Sequence, residues 1–325
     1  MGDRYGYRFL GGVRVRKFIA ICTILLIFSP VFLRADEAAD SIARLVDDLF
    51  MKASSGEVQF RDLVEPSKEA LIEMGIAAVP QMITKLPTED ARERHTVEDI
   101  FKGIADPAVP ALIEALYTEN LYQLRLAAGC LGKIGNRDAT QPLLQFFWHQ
   151  DHSVRSAAVT AVGDIKDSSA VGEIIKKLED EAETVRKSAA VSLGKIAHAD
   201  AISPLITALD DPHYSVRYSA AGSLVKIGDQ AGKVLLEDYS ALSNNAIGYA
   251  CDVWAQLKYK KACKQLEKIL KENDDRYLRG FAIVALAQID SPKARKYIRK
   301  NIEKENDLFV LSSFEKAYSI ISESE

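Results

Sequence analysis

The sequence predicts an all-α fold, a right-handed α-α superhelix (solenoid) of about eight helical hairpins with a 31-residue period. Three observations predict it. The phrases LRLAAGCLGKIG, VRSAAVTAVGDIK, VRKSAAVSLGKIA and VRYSAAGSLVKIG follow one another between residues 124 and 228. Their columns keep one step: Gly132, Gly163 and Gly194; Ile134, Ile165, Ile196 and Ile227; Ala127, Ala158, Ala189 and Ala220. Finally, no long strand-like alternation interrupts Asp36 to Glu325.

Residues 1–35 are expected to stand outside that fold. Arg14, Arg16 and Lys17 precede an apolar run from Phe18 to Phe28, Ser29 and Pro30 break it, and Leu33-Arg34-Ala35 resembles a small-residue cleavage site. This pattern is that of a secretory signal, and it predicts an exported protein, periplasmic or secreted. The alternative is an uncleaved membrane anchor. Residues 18–33 are shorter than the roughly 20 apolar residues that span a bilayer, so membrane contact is expected through that stretch alone, and only if it stays uncleaved.

Residues 36–65 form a leading helix and cap, with Ile42, Leu45, Val46, Leu49 and Phe50 at helical spacing. The repeats are expected over 66–325. The first ones are worn: ALIEMGIAAVPQMITKL and FKGIADPAVPALIEAL share only a VP opening, at Pro80 and Pro110. End repeats have one neighbour and must show a solvated face, so degeneracy there is expected.

Within a full repeat, Ser153, Thr184 and Ser215 are placed to accept from the free N–H groups of a first helix. Val154, Ala158, Val162 and Ile165 then form an apolar stripe about three turns long. Asp138, Ser169 and Asp200 offer a second capping column. A second helix follows, carried by Leu143, Leu144 and Phe147, by Ile174, Ile175 and Leu178, and by Leu205, Ile206 and Leu209. Pro142 and Pro204 fall in its first turn, where a missing N–H costs little. The glycine column weakens the first helix by about 1 kcal/mol per residue relative to alanine, so its gain must be close approach between helices.

VRSAAVTAVGDIK and its relatives, followed by AISPLITAL, resemble the HEAT-like repeats first associated with phycobilisome lyases, a short-period branch of the HEAT and armadillo superhelices. The resemblance covers roughly residues 66–325. It implies that the arginine column Arg155, Arg186, Arg217 and Arg279 pairs with acids of neighbouring loops, here Asp151, Asp180 and Asp211, and so ties repeats together. It also implies that second helices line a concave side available for binding.

Charge narrows the partners. The whole chain carries a net charge of −4; removing six basic residues and one acid with residues 1–35 leaves 36 Lys+Arg against 45 Asp+Glu, a net charge of −9. Acidity repels phosphate backbones, so no nucleic acid is expected as partner. Residues 256–305 are the exception, with 14 basic and 7 acidic side chains, and are assigned to solvated helix faces. Cys130, Cys251 and Cys263 are too few for a disulfide framework; Cys251 and Cys263 lie on consecutive helices and either bridge in an oxidising compartment or remain buried thiols.

Enzymatic chemistry finds little footing. The five histidines, His95, His149, His152, His198 and His213, are spread over different repeats, and the local HQDH phrase lacks further ligands. The HEAT-like diiron hydroxylases use adjacent His-Glu pairs, and this chain contains none. GxSxG, HExxH and GxxxxGK[ST] are also absent. No catalytic residue, metal or cofactor is therefore assigned. The expected function is an exported, non-enzymatic scaffold for a protein or peptide. The alternatives are an enzyme or a chromophore- or metal-handling protein of the lyase or hydroxylase type, and a membrane-tethered adaptor.

For partner binding the second-helix columns nominate Tyr117, Phe146 and Trp148, merging into Glu179 and Asp210. The opposing reading packs Phe146 and Trp148 beneath the preceding repeats. Tyr218 and Tyr249, in one column of the first helices, are read as ordinary surface tyrosines.

Overall fold

Helices account for the whole regular structure of the residues described by the computed structural model, which are 35–290, 292–302 and 306–322. The expected export signal thus lies outside the described residues but for Ala35. The chain divides into two compact units, residues 1–136 and 137–325.

Unit 1 holds α1 (Ala35–Ser54), α2 (Val64–Met74), α3 (Val79–Ile83), α4 (Ala91–Ile104), α5 (Val109–Glu114) and α6 (Leu121–Ile134). Here α1 covers α2, α2 packs on α4, and α4 on α6. Val46, Leu71, Ile100, Phe101 and Leu131 are fully buried between them. Asp90 and Asn120 cap α4 and α6, each accepting from two backbone N–H groups.

Unit 2 holds α7 (Thr140–Leu144), α8 (His152–Ile165), α9 (Val171–Lys176), α10 (Glu183–Ile196), α11 (Ile202–Thr207), α12 (Tyr214–Ile227), α13 (Asp229–Glu237), α14 (Asn244–Gln256), α15 (Cys263–Glu272), α16 (Arg276–Ile289), α17 (Pro292–Asn301) and α18 (Leu308–Ser322). Its even-numbered first helices run from α8 to α18, and each packs on the next. Second helices such as α9 and α11 are short and are extended by 3-10 turns, Lys177–Glu179 and Ala208–Asp210. Their apolar columns face inward, Leu143, Ile174 and Leu205 being fully buried. Such a side chain contributes about 1.5–3 kcal/mol, which a hairpin collects only once a neighbour covers it. Cys130, Cys251 and Cys263 are buried and not joined in disulfides, and burial pushes Cys251 up to about 12.

The caps differ from expectation. Ser153, Thr184 and Ser215 lie inside the first turns of α8, α10 and α12. The cap of α8 is Asp151, two residues earlier, whose carboxylate accepts from the Ser153 and Val154 N–H groups. Ala182 and His213 hold that position in the next two repeats and make no capping bond. Likewise Asp138, Ser169 and Asp200 sit within 3-10 turns, and Asp167, not Ser169, caps the turn before α9. A carboxylate reaches two N–H groups from outside the helix, which a hydroxyl already inside the turn cannot do.

The glycine column has a definite partner. A Cβ on Gly163 would stand 2.3 Å from Ser192 Cβ and 2.8 Å from its Cα; on Gly194 it would stand 2.5 and 2.8 Å from the same atoms of Ser223. The approach is used: Ser192 Oγ donates to the Val159 carbonyl at 3.0 Å and Ser223 Oγ to that of Ala190 at 2.8 Å. Three residues past each glycine the backbone turns left-handed, at Lys166 (φ 58°) and Ala197 (φ 57°). Gly194→Ala is therefore expected to lower unfolding free energy by roughly 1–3 kcal/mol despite better helix propensity. Ala197→Gly should raise it by about 1 kcal/mol. Urea titration of the two variants checks both signs.

Candidate partner-binding groove

Adjacent repeats of unit 2 are joined through their loops, and those joints shape the surface beside the second helices. Arg155 Nε and Nη2 grip Asp180 at 3.0 and 2.8 Å, and Arg186 grips Asp211 at 2.7 and 3.1 Å. The Nη1 groups donate to loop carbonyls, of His149 and Gln150 from Arg155, and of Asp180 and Glu181 from Arg186. Each acid stands 25 residues after its arginine, and each also orders its own loop by accepting from the N–H of Ala182 or His213. Asp151 takes no part in such a fork: in its repeat the column of Asp180 and Asp211 is held by His149, and the arginine column one repeat earlier by Leu124, while Asp151 caps α8. Arg217 has no acid at the matching place, which Leu242 occupies; among the described residues it donates only to the Asp211 and Pro212 carbonyls, and its buried Nε has no partner. Arg279 reaches the carbonyls of Asn273 and Asp274 and approaches Asp307 at 3.6 Å.

Burial alone would push Asp180 and Asp211 upward. The arginine forks and backbone N–H bonds outweigh it and hold both carboxyls below their ordinary value. Lys177 behaves in the opposite sense: burial drives its ammonium down although Asp180 lies 3.6 Å away.

Lys177 also explains Trp148. The indole, 67% exposed, lies over that ammonium with Nζ 3.4 Å from the ring centroid. One ring face is thus spent on a buried cation of the next repeat, and the other faces solvent. Phe146, in the same 3-10 turn, is half-buried. Tyr117 is exposed in the turn after α5, within unit 1.

Glu179 and Asp210 are the nominated residues that one cavity brings together. A groove of about 620 Å³ between the second helices is walled by Ile175, Leu178, Pro204 and Thr207, with both carboxylates at its edge. Phe146 and Trp148 do not line it. Asp210 accepts from Ser243 Oγ, and among the described residues neither carboxylate has a cation partner. Sequence reasoning missed Lys177, whose signal was a lysine in a column that Phe146 and Ala208 hold elsewhere. Elsewhere His149 Nδ1 accepts from the Asp151 N–H and His152 meets Thr184 Oγ1. Among the described residues no three metal-ligating side chains cluster, and no helix is long and apolar enough to cross a membrane.

Three overlapping stretches, residues 79–163, 142–225 and 171–247, match the family model described as HEAT repeats, together more than half of the chain. No curated protein matches the sequence. Among solved structures, the Kap95:Nup1 complex aligns over 96% of this chain and 50% of that one at 14% identity and a TM-score of 0.53, a likeness of fold. Human deoxyhypusine hydroxylase aligns over 79% of this chain and 99% of its own at 19% identity, with a TM-score of 0.36. The CpcE–CpcF complex of phycocyanin lyase from Nostoc sp. PCC7120 aligns over 74% and 94% at 20% identity, with a TM-score of 0.40.

Arg186→Ala is expected to cost roughly 3–5 kcal/mol at neutral pH, because Asp211 stays buried without its partner. Arg217→Ala, which loses bonds to two carbonyls and a guanidinium 6.0 Å from the Tyr214 ring centroid, should cost about 1–2 kcal/mol. The depressed carboxyls stabilise the fold fully above the unfolded value of 3.8, and that contribution is lost as pH falls below it. Urea midpoints followed from pH 7 to about 3 should therefore decline less steeply in Arg186→Ala than in the parent.

Proposed function

The chain belongs to the HEAT repeat family, and on that premise we propose that it is a non-enzymatic scaffold binding a protein or peptide partner along the face that carries its second helices. The observation that carries this reading is the groove between α9 and α11, with apolar walls and two carboxylates, Glu179 and Asp210, that have no cation partner among the described residues. An extended segment bearing Lys or Arg matches it: aliphatic parts fill the walls, and the cations meet Glu179 and Asp210 at the edge. The exposed Trp148 face lies in the preceding repeat and extends the same kind of surface by cation–π or apolar contact.

Export belongs to the proposal as well. Its support is the sequence alone, the Arg14, Arg16 and Lys17 cluster followed by the apolar run and the Leu33-Arg34-Ala35 site. A mature protein beginning at Asp36 agrees with it, whereas a membrane-bound chain retaining residues 18–33 replaces it with the tethered adaptor.

The binding test compares the parent protein with Glu179→Lys/Asp210→Lys and with Phe146→Ala/Trp148→Ala in affinity capture from the native compartment. Both pairs are expected to lose the principal partner while far-ultraviolet circular dichroism stays unchanged. An unaltered partner set rejects the groove, and stoichiometric iron or zinc in the purified protein rejects the scaffold.

A further inference from the structure

The regular joints of unit 2 first fail together at the seam between α12 and α14. The column of Gly163 and Gly194 continues as Val225, and that of Ser192 and Ser223 as Trp254, so the close approach is not repeated. Trp254 is fully buried and donates to the Gly232 carbonyl of α13 instead. The arginine fork fails as well: Leu242 replaces its acid, and Gly248 stands where the next arginine would be.

Beside this seam, on the first-helix face, lies a groove of about 430 Å³. Tyr214, Tyr218, Tyr249 and Phe281 line it together with Asn244 and Asn245. Tyr214 and Tyr218 stack with ring centroids 5.8 Å apart and are more than half exposed, as is Phe281. Both asparagines are exposed at the start of α14, and their amides make no hydrogen bond among the described residues. Asp252, also exposed, adds a carboxylate that among the described residues accepts only from Gln256.

We propose that this groove binds a proline-rich segment of a partner in the polyproline II conformation, with a basic residue directed at Asp252. Generic modes of peptide recognition separate here on chemistry. Strand addition needs an open sheet edge, and the described residues contain no strand. A docked helix has already satisfied its backbone and asks for a long apolar trough; this groove mixes rings with phenol hydroxyls, amides and an acid. A polyproline II segment carries rigid apolar rings and carbonyls with no internal partner. Exposed aromatic faces receive the prolines, while tyrosine hydroxyls and asparagine amides donate to the carbonyls. Asp252 then favours Lys or Arg by charge. Tyr218 and Tyr249 thereby acquire a role beyond surface decoration, on a face separate from the groove at Glu179 and Asp210.

The test uses the full chain and a fluorescein-labelled peptide of about ten residues with a Pro-Pro-x-Pro pattern and one arginine, long enough in this conformation to cross the groove. Anisotropy titrations include the same peptide with prolines replaced by alanine, and with arginine replaced by glutamine. Tyr218→Ala and Phe281→Ala, at exposed positions, are each expected to weaken binding about tenfold. Asp252→Asn should weaken the arginine peptide and leave the glutamine peptide unchanged. Glu179→Lys/Asp210→Lys should have no effect, which separates this site from the other groove. No binding of the proline peptide, equal binding of its alanine counterpart, indifference to Tyr218→Ala, or competition by a neutral oligosaccharide overturns the assignment.

Discussion

A hairpin of one three-turn helix and one shorter helix leaves too much apolar surface on its flank to stand alone in water. Every other property of this protein follows from how that flank is covered. Within unit 2 the covering is tight because glycine removes the side chain that would hold neighbouring helices apart, and serine from the next repeat fills the space and bonds the exposed carbonyl. The helix bears the cost of glycine in exchange for an interface that only one register fits.

The loops obey a second constraint, which is polar. Asp180 and Asp211 each serve an arginine from the preceding repeat and a backbone N–H of their own loop. Those acids are spent on structure, whereas their neighbours Glu179 and Asp210, one residue earlier, are exposed and have no cation partner among the described residues. The division of labour between adjacent carboxylates creates an acidic edge without leaving a buried charge unpaired. Trp148 shares such duties within one side chain, covering Lys177 with one face and offering the other.

Architecture was legible because a 31-residue step repeats in glycine, alanine and isoleucine columns, and packing alone explains those residue types. The caps were less legible. Hydroxyls at 153, 184 and 215 form the more regular column, yet helices begin before them and a less regular residue two places upstream does the capping in α8. Of the site, Glu179 and Asp210 could be placed from their column, whereas the cation beneath Trp148 could not: it stands 29 residues away, in a different 3-10 turn. The aromatic groove was hidden for a related reason. Tyr218 and Tyr249 look ordinary one repeat at a time, and their significance arises only where Leu242, Gly248 and Trp254 interrupt three columns at once.

The glycine–serine contact and the arginine fork share a directional property. Each begins on one repeat and ends on the next, with donor and acceptor at a constant offset in the chain. A tandem duplication of one 31-residue block in the regular stretch would therefore arrive with every bond already matched, its donors finding acceptors in the inserted copy and its acceptors finding donors in the original. Such a chain can lengthen by gene duplication without inventing any new contact, and irregular seams mark the places where that freedom has been given up.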